Sequence, residues 1–475
     1  DWSSDVCSSD LQISLATGVS RKLVGAPAED TSFLASPRGE VRFATARDKD
    51  DVERVYEYGG EKAEWQEVAR NSLRGGDAMS PVGMSADGQT AFYLSNAGGQ
   101  PTGLMAFNLA TRTHITLYRD ATQSVDSVEL DPWTGEPLWV NVGPEGKVHE
   151  LSAEHRLVRL SRGLTKAFPD ATVTLTSSTR DYRKSIFFVD SDRDPGAWYS
   201  LDAETRRATL EMAANSRLDP SQLAPVKPVS FRARDGLAIQ GYYTAPAPPA
   251  DGKPPMVVLV HGGPHSRDEW EFDAEVQLLA TRGYAVLQVN FRGSTGYGRE
   301  FEAAGRGQWG RAMQDDLTDA TRWAIGEGLA DPGRICIMGG SYGGYASLMG
   351  VVREPDLYQC AVSLYGVTDL AEFFAGGDIP DLLSGRAYLK DAIGSDRAEW
   401  DARSPARLAD RIKVPVMLIA GGQDKRVPIT HAEMMEKALK KAGKPVETLY
   451  FPTEGHGFSQ LEHRVEAYQK VLDFL

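Results

Sequence analysis

An all-β half followed by an α/β half is the fold class that this sequence predicts, and three observations predict it. Residues 12–215 read as short alternating strands between Gly, Asp, Ser and Pro turns, with hardly any helical periodicity. A Pro-rich joint at 220–228 ends that rhythm. Beyond it, buried apolar runs alternate with amphipathic stretches, the pattern of a mostly parallel sheet with helices on both faces. A chain of 475 residues also exceeds what one hydrophobic core usually organises, so two domains are expected.

Residues 1–11 stand apart. Ser3-Ser4-Asp5 recurs as Ser8-Ser9-Asp10, no Met begins the chain and no signal-peptide layout is present. The expectation there is adaptor-derived sequence fused to a protein already cut short. From 12 to 215 a weak self-similarity recurs. Ser85-Ala86-Asp87-Gly88 ahead of Ala91-Phe92-Tyr93-Leu94 is echoed by Ser36-Pro37-Arg38-Gly39, by Asp131-Pro132-Trp133-Thr134-Gly135 and by Ser178-Thr179-Arg180-Asp181. Its spacing of roughly 45 residues is that of a four-stranded propeller blade. A lone blade cannot bury both faces, so blades must stack radially. The count is about four, plus the tail of another at 11–24, where closed propellers carry about 4 to 8. An incomplete β-propeller over 12–215 is the expectation, with a β-sandwich of similar strand content as the alternative. The charge-rich stretch 48–54 reads as a solvated loop.

In the second half, Asp235-Gly236 signals a hairpin. Buried strands are expected at 256–260, 285–289, 335–338, 361–364, 416–420 and 446–450, and helices at about 311–327, 344–352, 430–442 and 460–474.

Chemistry enters at Gly339-Gly340-Ser341-Tyr342-Gly343, a G-x-S-x-G element between a buried strand and a helix. The turn is too tight for side chains beside the serine, and it holds the hydroxyl clear of the backbone at a helix N-terminus. A hydroxyl of ordinary pKa is a poor nucleophile, so it needs a base oriented by a third group. Asp424 and His456 follow in chain order, each just beyond a buried strand, where open α/β sheets place their sites. Ser341 is therefore read as nucleophile, Asp424 as acid and His456 as base. The oxyanion hole should combine the Tyr342 N–H with the Gly263 N–H, offered by the loop His261-Gly262-Gly263-Pro264. His261 reads as structural, since His456 already fills the base position. Strand, elbow and triad order together predict an α/β-hydrolase domain over 216–475.

Five segments appear in order: His261-Gly262-Gly263-Pro264, Asn290-Phe291-Arg292-Gly293-Ser294-Thr295-Gly296-Tyr297-Gly298, Gly340-Ser341-Tyr342-Gly343-Gly344-Tyr345, Asp424-Lys425-Arg426-Val427-Pro428 and Gly455-His456-Gly457. On these, residues 226–475 resemble the prolyl oligopeptidase family of serine peptidases, in its acylaminoacyl-peptidase and dipeptidyl-aminopeptidase-like branch. The resemblance implies a propeller ahead of the hydrolase domain. It also implies that Arg426 grips a substrate carbonyl and that Tyr342, Val367, Leu370 and Phe373 line the pocket for the residue before the scissile bond. One departure stands out: the adjacent pair of glutamates that anchors the substrate amine in the best-known dipeptidyl peptidases is missing from this sequence.

Composition narrows the remaining classes. A net charge of −14 argues against a nucleic-acid partner, which needs a concentrated basic face. No apolar run approaches the roughly 20 residues of a membrane span. The three cysteines cannot build a disulfide framework, and Cys336 and Cys360, within apolar strand-like runs, read as small core residues. They leave the compartment open between cytoplasm and periplasm or exterior. No metal and no cofactor is called for. The expected function is serine-type hydrolysis of short peptides, with homo-oligomerisation as an option. A carboxylesterase using the same triad is the first alternative, and an inert propeller binding protein the second.

Overall fold

The computed structural model describes residues 9–14, 16–47, 52–59, 64–72, 77–143, 146–248 and 252–475. Residues 1–8, and with them most of the segment expected to be adaptor-derived, lie outside the described residues. Ser9–Ile13 pairs antiparallel with Ser20–Gly25. Successive antiparallel sheets then begin at Thr31, Met79, Val125 and Thr172, close to the roughly 45-residue spacing of a blade. All but the third have four strands, joined in sequence order.

The strand Thr90–Ser95 shows why these sheets are blades and not halves of a sandwich. Its successive residues Ala91, Phe92 and Tyr93 are all buried. Side chains alternate between faces along a strand, so both faces of this sheet are covered. Ala91 and Tyr93 join Phe43, Val55 and Phe107 on one side. Phe92 joins Leu104, Val125 and Val140 on the other. A sandwich buries only one face of each sheet. The outermost strands Thr113–Tyr118 and Arg207–Ala213 are almost wholly exposed, as blade rims are.

The recurring turn has a physical basis. Ser85 donates to Asp87, whose carboxylate accepts the Gln89 amide, and Thr179, Asp181 and Arg183 repeat this arrangement. Asp131 extends it. Its buried carboxylate accepts the Trp133 and Thr134 amides and the Tyr182 hydroxyl at 2.6 Å, with His155 Nε2 at 3.3 Å. Asp131→Ala would leave these partly buried donors without their acceptor. It is expected to cost about 2–3 kcal/mol of stability, measurable as a lower urea midpoint at unchanged slope.

Two local expectations change. The helix Arg156–Ala167 stands where the strand rhythm was expected to continue, burying Leu157, Val158 and Leu164 on one face. In the charged stretch 48–54, the strand Val52–Gly59 has already begun at its fifth residue, and Arg54 pairs with Glu67 across the ladder; residues 48–51 lie outside the described residues.

Contacts group the chain into two compact units. One contains 1–167, 178–184 and 296–303, the other 168–177, 185–295 and 304–475. The second unit is built on an eight-stranded sheet. Its strands in chain order are β1 Val226–Arg232, β2 Ala238–Thr244, β3 Met256–Val260, β4 Ala285–Asn290, β5 Ile335–Gly340, β6 Cys360–Leu364, β7 Val416–Gly421 and β8 Val446–Phe451. The spatial order is β1-β2-β4-β3-β5-β6-β7-β8, parallel from β4 onwards. From β3 the chain winds one way to β4 and then the other way to β5. The switch point therefore lies between β3 and β5, where such sheets open a crevice. Strands β3, β6 and β7 are buried at every position, because helices cover both faces.

Cys336 and Cys360 correct the reading of two core thiols. They face each other in the β5/β6 register with Cα atoms 4.8 Å apart and are joined by a disulfide. Neighbouring strands bring opposite residues within bridging distance, a pairing set by the ladder and not by local sequence. Among the described residues, no helix is long and apolar enough to cross a membrane.

Candidate active site

Strand β5 ends at Gly340 and the helix Tyr342–Arg353 begins two residues later, leaving Ser341 at the corner with φ 57° and ψ −118°. A non-glycine residue in that region stores about 1–3 kcal/mol and persists only where its surroundings dictate it. They do so here. A Cβ on Gly339 or Gly343 would come within 2.3 or 2.0 Å of the Val260 carbonyl oxygen at the end of β3. The Ser341 amide is held by Leu364 O at the end of β6, and Tyr345 N–H returns to Ser341 O.

Asp424 lies in the turn after β7, its side chain only 1% exposed. Its Oδ1 accepts the Arg426 and Val427 amides, both at 2.9 Å. Its Oδ2 accepts His456 Nδ1–H at 2.7 Å. The carboxylate is thus oriented by the backbone and in turn orients the imidazole, whose Nε2 is left free to take a proton. Two bonds tie the loops together: Gly422 N–H to Phe451 O and Gln423 N–H to Glu454 O, both 2.8 Å. Tyr365 packs its ring edge-on against His456, with centroids 4.9 Å apart, and lies where a Cβ on Gly340 would fall. His456 and the elbow are therefore neighbours of one aromatic ring. The Ser341 hydroxyl makes no hydrogen bond to the imidazole here; such contacts tighten when substrate binds.

The loop after β3 lies against the elbow. A Cβ on Gly262 would stand 3.3 Å from Gly340 O and 3.5 Å from Ser341 Cβ. His261 stacks on Phe291 with centroids 4.3 Å apart, donates Nδ1–H to Gly262 O at 2.8 Å and places Nε2 2.9 Å from Ser294 Oγ. Desolvation pushes its pKa down to about 4, outweighing the Gly262 carbonyl, so the ring is neutral near pH 7. The carbonyl can only accept, so this contact needs the proton on Nδ1, and Ser294 then has one hydroxyl hydrogen to share between His261 Nε2 and Phe291 O at 2.7 Å. Gly262 C=O and Gly263 N–H belong to one trans peptide and point opposite ways. Holding the carbonyl therefore fixes the direction of the Gly263 N–H. The facing turn is anchored in its own right: Arg292 grips Asp316 at 2.7 and 2.8 Å and reaches Asp235 at 2.7 Å.

The residues expected around a pocket are distributed unevenly. Tyr342 is buried among Phe291, Trp309 and Tyr345, with Trp309 edge-on at 4.6 Å, and its hydroxyl has no hydrogen-bond partner. Phe373 meets the same Trp309 at 5.8 Å. Trp309 thus links Tyr342 to Phe373, a connection no local sequence signal announces. Val367, in the turn after β6, and Leu370, at the start of the helix Leu370–Ala375, are both buried, and the Leu370 amide is engaged by Ser404 Oγ. Arg426 points its guanidinium at Asp378, at 2.7 and 3.1 Å, in an exposed pair of small net worth. Among the described residues, no group of three or more His, Cys, Asp or Glu is placed to hold a metal ion.

Residues 270–475 match the prolyl oligopeptidase family. The chain is similar to dipeptidyl aminopeptidase BIII of Pseudoxanthomonas mexicana, 32% identical over 467 residues, covering 95% of this chain and 67% of that protein. It is 33% identical over 227 residues to the acylamino-acid-releasing enzyme of Sus scrofa, covering 46% of this chain and 31% of that one. Among solved structures, puromycin hydrolase superposes with a TM-score of 0.73 at 27% identity, covering 94% of this chain and 69% of that one. The chain thus spans about two thirds of the length of the dipeptidyl aminopeptidase it resembles.

Proposed function

The chain belongs to the prolyl oligopeptidase family of serine peptidases, and we propose that it hydrolyses peptide bonds in short peptides through Ser341, Asp424 and His456. The observation that carries this reading is the Asp424–His456 pair at 2.7 Å, held by two backbone amides at the end of a sheet whose neighbouring loop presents Ser341. His456 Nε2 takes the Ser341 proton as Oγ attacks the carbonyl carbon. The developing oxyanion is received by the Tyr342 and Gly263 amides. His456 then returns the proton to the leaving amine, and the acyl-enzyme forms. Water, deprotonated by the same imidazole, attacks the ester and releases the acid. Asp424 holds the Nδ1–H tautomer throughout and stabilises the transient imidazolium. Arg426, steadied by Asp378, would take a substrate carbonyl near the scissile bond, beside a pocket lined by Tyr342, Val367, Leu370 and Phe373.

Relatives named dipeptidyl aminopeptidase and acylamino-acid-releasing enzyme support peptides over simple esters as substrates, with free and acylated amino termini both in range. Of the compartments the sequence leaves open, an oxidising one suits the Cys336–Cys360 bond. The test is an alkyl fluorophosphonate, which should modify Ser341 alone at one label per chain, as read by peptide mass. Turnover of a peptide library with free and acetylated amino termini should then cease in the labelled protein. A label on another residue, or undiminished turnover, would sink the assignment.

A further inference from the structure

Glu454, two residues before His456, plays no part in the steps above, yet its carboxylate is the most heavily bonded group near them. The side chain is fully buried. It accepts the Ser459 amide at 2.8 Å and hydroxyl at 2.6 Å, the Gln460 amide at 2.9 Å and His463 Nδ1–H at 2.7 Å. The two amides stand just ahead of the helix Leu461–Phe474, whose N-cap Gln460 supplies no side-chain cap of its own, so a carboxylate there also meets the positive end of the helix dipole. His463 is held from behind by stacking on Phe451, centroids 4.6 Å apart. The backbone of Glu454 faces the other way. Its carbonyl accepts the amide of Gln423, the residue before Asp424. His456 therefore sits in a loop closed at 454 and 459–460 by one side chain and tied to the acid's turn by that residue's own carbonyl.

We propose that Glu454 is a positioning residue that fixes the His456 loop against the Asp424 turn, so that the imidazole meets both its carboxylate and the Ser341 hydroxyl in line. The inference rests on the reading of Ser341 and His456 given above. The hydrogen bonds themselves say that the group works as an anion: the Ser459 hydroxyl and amide, then the Gln460 amide and His463, outweigh burial and hold its pKa down to about 2. Each carboxylate oxygen accepts two hydrogen bonds, which makes the group hard to replace. In glutamine, one face would present N–H groups to donors. The loop would then shift, and misplacing a reacting group by about 1 Å costs on the order of a hundredfold in rate.

Glu454→Gln is to be compared with the unaltered chain on an acetylaminoacyl-4-nitroanilide, with active sites counted by fluorophosphonate labelling carried to completion. The expected result is a kcat per labelled site about a hundredfold lower, with KM within about twofold. A purely structural carboxylate would lower the melting temperature or the number of labelled sites and leave kcat per site unchanged; that outcome overturns the proposal. If Glu454→Gln shows no cooperative thermal transition, His463→Ala decides, because it removes one donor and leaves the other three. About a tenfold loss of kcat per site is then expected, and a loss under about twofold overturns the proposal. Ser341→Ala separates the two readings. Activity surviving in that variant refutes the site, whereas an inactive Ser341→Ala beside an unimpaired Glu454→Gln refutes only the role of Glu454.

Discussion

Ser341→Ala is expected to lower peptide turnover about a millionfold while leaving KM and the melting temperature close to those of the unaltered chain. The two halves of that expectation have separate causes. Rate collapses because, in the proposed mechanism, the imidazole–carboxylate pair serves a single nucleophile; what survives comes from binding and from the amides of Tyr342 and Gly263 proposed to hold the oxyanion. Stability is spared because the Ser341 hydroxyl has no hydrogen bond to lose, and because alanine carries the same Cβ into the same φ of 57°. Steady-state kinetics on free and acetylated aminoacyl-4-nitroanilides, run beside a thermal unfolding scan, check both. Residual turnover above about 1% of the original would place the nucleophile elsewhere. A large drop in melting temperature would mean that the hydroxyl supports the elbow.

The elbow was legible in the sequence because each of its requirements is local: an apolar run into Gly340, glycines on either side, a helix out of Tyr342. Asp424 and His456 were legible for a related reason, since both fall one turn beyond a strand that its apolar run already marks. What escaped is non-local. Cys336 and Cys360 are 24 residues apart and become bonded only because β5 and β6 pair in that register. Asp378, 48 residues from Arg426, reaches it through a loop whose path no periodicity encodes. Trp309 and Tyr365 meet the site across the sheet's end in the same way. Two signals were present and could have been used. Leu157, Val158 and Leu164 have helical spacing inside the β half. Ala91, Phe92 and Tyr93 form an unbroken apolar run, which within an all-β half points to a sheet covered on both faces.

Asp424→Asn is expected to lower kcat about ten-thousandfold with KM nearly unchanged, and the cause can be followed atom by atom. Oδ1 of Asp424 receives two backbone amides at 2.9 Å, and those donors belong to a turn that cannot reverse them. In the asparagine variant the amide oxygen must therefore keep that place, because an NH2 group there would face two N–H groups. The NH2 is left pointing at His456 Nδ1, where Oδ2 had accepted a proton at 2.7 Å. To accept this new donor, Nδ1 must give up its hydrogen, and the neutral ring then carries it on Nε2. That nitrogen can no longer take the Ser341 proton. The side chain keeps its shape and two of its three hydrogen bonds, so folding and substrate binding should survive while proton transfer fails. Fluorophosphonate labelling, which needs the same deprotonated Oγ, should slow in parallel with kcat. Were kcat and labelling to fall by less than about tenfold, the tautomer of His456 would be set by something other than Asp424.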